Sequence, residues 1–109
     1  MPKYMFIGSY TAEGTRGLLK DGGTGRSGAA YELIGSLGGK VETFYFAFGG
    51  DDFYLVADLP GSAEAAAVAL AVAASGAINY RTVVLLTPEE IDAATKLKPS
   101  FRPPYREYS

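Results

Sequence analysis

Few side chains in this sequence are equipped for chemistry, and the most promising are Tyr10, Tyr54, Asn79 and Arg81. A phenol can donate a proton or orient a carbonyl, and a guanidinium can grip a carboxylate with two parallel hydrogen bonds. Converging on a pocket between a sheet and its helices, these four would suit a small aromatic or carboxylated ligand. Asn79 and Arg81 carry the expectation furthest. They interrupt an otherwise apolar strand on one face, where burying them unpaired would be costly. Tyr45 and Tyr80 also lie on strands, where an aromatic ring more often fills a core or an interface than a site.

The other patterns carry less. Gly23-Thr24-Gly25-Arg26-Ser27-Gly28 satisfies G-x-G-x-x-G ahead of a helix, where free N–H groups could cradle a phosphate. A dinucleotide site also needs a strand immediately upstream, and Leu18-Leu19-Lys20 read as helix, so a kinked helix is expected instead. Glu42, Asp51, Asp52 and Asp58 gather near a hairpin, but adjacent Asp51 and Asp52 point to opposite faces of an extended segment and make a poor chelate. A solvated hairpin tip accounts for them, and no metal is expected. Arg102 and Arg106 alternate with Phe101, Tyr105 and Tyr108 in the tail. Two arginines are too few for a nucleic-acid surface, so docking on a partner subunit or plain disorder is the expectation.

Composition narrows the chemistry further. The chain has 109 residues, 10 Lys and Arg against 12 Asp and Glu, no His and no Cys. That length suits one domain. The net charge of −2 offers no field for nucleic acid or anionic membrane. Without His or Cys, histidine-held haem, thiolate zinc and thiol nucleophiles are excluded, so no cofactor is indicated and a binding role is favoured over an enzyme. The longest mostly apolar run, residues 63–74, contains Glu64 and is too short to span a bilayer. Met1-Pro2-Lys3-Tyr4 lacks the pattern of a secretory signal, so a cytoplasmic protein is expected.

The elements that must position these residues follow from punctuation and period. Residues 3–10, aromatic and β-branched, read as a first strand. Residues 13–20 read as a short helix, the glycine-rich 21–25 as a break, and Ala30, Leu33, Ile34 and Leu37 as the apolar stripe of a second helical piece capped by Gly38-Gly39. Residues 40–48 and 52–58 form a hairpin around Gly49-Gly50-Asp51, whose glycines would supply positive φ angles. Ser62 caps an alanine-rich helix over 63–75, residues 77–86 form a fourth strand, and Thr87-Pro88-Glu89-Glu90 opens a last helix running to about residue 98. The order is that of an α+β ferredoxin-like βαββαβ fold, a four-stranded antiparallel sheet with an extra C-terminal helix. One domain covers 1–98, followed by a Pro- and aromatic-rich tail over 99–109, extended or disordered.

Both faces of every strand are apolar. Phe44, Phe46 and Phe48 oppose Val41, Tyr45 and Ala47; Tyr4 and Phe6 oppose Met5 and Ile7; Phe53 and Leu55 oppose Tyr54 and Val56; Val84 and Leu86 oppose Val83 and Leu85. The helices can cover only one face. The other would expose roughly 500 Å² from standard strand spacings, so a second copy is expected to cover it.

The motifs SYTAEG (9–14), GLLKDGG (17–23), SLGGKVETFYFAFG (36–49), DLPGS (58–62) and RTVVLLTPEEID (81–92) resemble the GYD-domain family of small bacterial proteins over most of the chain. The resemblance implies a dimeric α/β barrel in which two ferredoxin-like sheets close face to face, and it implies no particular reaction. The family's naming motif stands here as Gly49-Gly50-Asp51-Asp52, with Asp51 where a tyrosine is expected and Asp52 as the match. Two functions remain: a homodimer, or a higher assembly of dimers, that binds a small molecule through Tyr10, Tyr54, Asn79 and Arg81, or a non-catalytic dimeric interaction module.

Overall fold

Residues 3–10 form the strand on which the rest of the molecule is organised. In the computed structural model, which describes residues 1–104, the elements in chain order are β1 (Lys3–Tyr10), α1 (Ala12–Ser36), β2 (Lys40–Phe46), β3 (Phe53–Asp58), α2 (Ser62–Ala74), β4 (Ile78–Leu85) and α3 (Pro88–Thr95). The strands make one antiparallel sheet in the order β2-β3-β1-β4. This is the expected ferredoxin-like α+β architecture with a third helix appended.

Register assigns the two faces. Phe6 pairs with Leu55 and Thr82, and Ile7 with Tyr54 and Arg81; cross-strand partners share a face. Tyr4, Phe6, Leu55 and Ala57 therefore point to the helices, where they pack with Ile34 of α1, Ala65 and Val68 of α2 and the fully buried Leu59. Met5, Ile7, Tyr54, Val56, Val83 and Leu85 point the other way. Ile7 is itself buried there by its neighbours, whereas Tyr45 and Tyr54 stand exposed. Val41 departs from the simple alternation. A bulge between Val41 and Thr43 places it on the helix side, because an extra residue in one strand shifts every side chain before it to the opposite face.

Local chemistry explains the boundaries. Thr11 caps α1: its Oγ1 accepts from the Gly14 amide at 3.2 Å and lies within donating distance of the Gly76 and Ala77 carbonyls. A Cβ at Gly14 would fall 2.1 Å from the Ala77 carbonyl oxygen, so only glycine lets α1 start this close to β4. The expected break in α1 is confined to Gly22, at φ 78° and ψ 168°, a conformation essentially reserved for glycine. Helix resumes at once, so the G-x-G-x-x-G stretch lies inside α1 with helix before it and forms no phosphate loop.

The hairpin differs from expectation. Both strands are shorter, and neither Gly49 nor Gly50 has a positive φ. The Ala47 amide donates to the Asp52 carbonyl at 2.8 Å, which closes a loop over 48–51 wide enough to need no left-handed residue. Gly61, not Ser62, is the cap residue of α2. Thr87 and Glu90 form the expected capping box of α3 with Pro88 at its start. That helix stops at Thr95, ahead of residue 98, because Lys96 and Leu97 donate to Ala93 and Ala94, the tighter i→i−3 bonds that end a helix. Residues 97–103 form neither helix nor strand, while Tyr105, Arg106 and Tyr108 lie outside the described residues.

Candidate functional site

The sheet presents large side chains to helices that answer with small ones. Phe6, Phe44 and Phe53 face Ala29 and Ala30 of α1, and the alanine-rich α2 contributes Val68 and Val72. Alanines cannot fill the space between a helix and an aromatic layer, so a cavity of about 100 Å³ remains. It adjoins an open groove of about 380 Å³ that shares Tyr10, Arg26, Leu33, Val72 and Ile78 with it.

Three polar side chains meet this apolar space. Tyr10, the last residue of β1, is held through its backbone: its amide donates to Asp52 Oδ2 at 2.7 Å, and its ring leans on Phe53 at 5.6 Å. Burial pushes the Tyr10 phenol above its ordinary pKa. The Arg26 guanidinium pulls it back partway, by charge and by hydrogen bonding, and the Asp52 carboxylate adds a small upward push. Arg26 comes from α1 just beyond the kink, where its outer contact is Asp21 at 3.5 Å. An ion pair at that distance and exposure holds the side chain weakly, leaving the guanidinium able to take an anion. Tyr80 is already committed, its hydroxyl donating to the Ala69 carbonyl at 2.6 Å.

The four residues singled out from the sequence do not share this space. Tyr10 lines it, while Tyr54, Asn79 and Arg81 lie on the opposite face of the sheet. There Tyr54 and Arg81 flank Ile7, and Asn79 pairs with Ser9. Arg81 reaches Asp51 at 3.3 Å, and Ser9 lies near the same carboxylate. The strand period is the reason: Tyr10 is an even position on β1, and its cross-strand partner on β4 is Ile78, one residue from Asn79. Arg26 is the residue the first set lacks, and its signal was present, since it precedes Ala30 by four and Leu33 by seven and so sits on the apolar stripe of its helix.

Asp52, the match to the family motif, has a structural task. Its side chain binds the Tyr10 amide, and its own amide donates to the Gly8 carbonyl at 2.7 Å, extending the sheet by one pair beyond β3. Asp51 points instead to Arg81. Among the described residues no three Asp or Glu side chains gather in a metal-holding cluster, and no helix is long and apolar enough to cross a membrane.

In comparison with known families, the chain matches the GYD domain over residues 4–95. No curated protein and no solved structure matches.

Proposed function

The chain belongs to the GYD-domain family, and from that premise we propose that it is a homodimer whose subunits each bind a small aromatic or carboxylated molecule between sheet and helices. The observation that carries the binding half is the Arg26 guanidinium beside the half-buried Tyr10 phenol at the rim of an otherwise apolar cavity. An apolar ring fits the phenylalanine-lined interior, and a carboxylate at its end meets Arg26 with Tyr10 as a second donor. The groove beside the cavity supplies the room that 100 Å³ alone lacks.

The homodimer rests on the other face. Met5, Tyr54, Val56 and Val83 form an apolar surface around the buried Ile7, bordered by Lys3 between Glu42 and Asp58 at one end and by Arg81 with Asp51 at the other. Pairing two such faces removes on the order of 1,000 Å² from water, the lower bound for a specific interface. In this arrangement Tyr54, Asn79 and Arg81 serve the interface. The same face also supports the second reading, a dimeric interaction module with no ligand.

A thermal-shift screen of small aromatic carboxylates separates the two. A compound at a hundred times its dissociation constant adds about 2.7 kcal/mol, several degrees for a domain of this size. Arg26→Gln is expected to abolish the shift and Arg81→Gln to retain it. The reverse pattern would move the site to the open face, and the absence of any shift would leave the interaction module as the function.

A further inference from the structure

We propose that the C-terminal arm, residues 86–102, packs across a second copy of this chain, so that each subunit of the dimer is embraced by the other's arm. The inference rests on the dimer reading above and assigns a partner to a segment that reading does not use. Every residue from 86 to 102 is exposed, including all of α3. An isolated helix of this length is marginal in water even when well capped; the arm therefore needs a surface, and its own body does not supply one.

Its reach and composition fit such a surface. The molecule measures 63 × 30 × 23 Å, its long dimension far exceeding the others because the arm stands away from the sheet. Along it come Leu86, Ile91 at 46% exposure, Leu97 at 70% and Phe101 at 76%, more apolar surface than a solvated tail requires.

The identity of the partner follows from three observations. First, the arm grows directly out of β4, whose Val83 and Leu85 belong to the open face, so whatever covers that face lies beside the root of the arm. Second, the sheet faces alone bury on the order of 1,000 Å², short of the usual size for a stable dimer. Four arm side chains from each copy add on the order of 800 Å² and bring the total into that range. Third, the arm is acidic at its start, with Glu89, Glu90 and Asp92, and basic toward its end, with Lys96, Lys98 and Arg102. A segment charged in that order is complementary to itself reversed, so two arms related by a twofold axis attract where they pass each other.

The chain contains no Trp, so Phe101→Trp gives the arm a single reporter. The expected result is blue-shifted emission, protected from acrylamide, that turns red and quenchable on dilution together with the dimer-to-monomer transition seen by sedimentation in the same samples. Ile91→Asp with Leu97→Asp, both at exposed positions, is expected to raise the dimer dissociation constant at least tenfold without changing the circular dichroism of the dilute protein. A red, freely quenched tryptophan in a sedimenting dimer would overturn the arm contact and leave the sheet-face dimer standing. A blue shift independent of concentration would place the arm on its own body. A monomer throughout would remove the dimer reading itself.

Discussion

At the scale of single residues, neighbours in sequence have unrelated tasks. Asp52 accepts a charge-assisted bond from the part-buried Tyr10 amide, whereas Asp51 meets a largely exposed Arg81. Asp52→Ala is therefore expected to cost about 1–3 kcal/mol, and Asp51→Ala less than about 1 kcal/mol, measured by urea denaturation; equal losses would deny Asp52 its structural task. The types of the chemically able residues were legible in the sequence, but their grouping was not. Tyr10, Tyr54, Asn79 and Arg81 all lie on strands, and which face each points to depends on register, which a strand pattern apolar on both sides does not specify. Arg26 was legible in principle, because a cation in line with Ala30, Leu33 and Ile34 sits on a stripe meant for burial. The glycines around it drew attention to a phosphate loop instead.

The elements were more legible than the residues they carry. β1 spans the expected residues, the capping box of α3 forms as its side chains dictate, and the glycine break in α1 occurs where helix propensity is lowest. Three features had no local signature: the bulge at Glu42, the widened loop over 48–51, and Gly61 as the cap of α2. The first two are set by what the chain meets across the sheet. The kink allows a direct test. Gly22 has open space around it, so Gly22→Ala tests backbone strain alone and is expected to cost about 1–3 kcal/mol. Gly28, helical and equally uncrowded, is expected to gain up to about 1 kcal/mol as alanine. Parallel thermal melts of the two variants check both signs, and a neutral Gly22→Ala would mean that residue 22 is not held in a conformation that only glycine tolerates.

For the whole molecule, one sheet serves two surfaces. The radius of gyration is 18.0 Å, against about 13 Å for a compact domain of this length, and the excess comes from an arm whose residues 86–102 are all exposed. The helix face closes imperfectly over small residues and leaves the Tyr10 and Arg26 cavity; the open face is apolar without a cover. This division was already present in the strands as apolar residues on both sides, while the projection of the arm could not be read from its sequence, since Ile91, Leu97 and Phe101 would equally suit a helix folded back on the sheet. The central claim is that the open face is closed by a second copy. Sedimentation equilibrium of the unmodified chain at micromolar concentration tests it most directly: the expected mass is twice the 11.5 kDa of one chain, or a multiple of that pair, and a single species of 11.5 kDa persisting to about a hundred micromolar would contradict it.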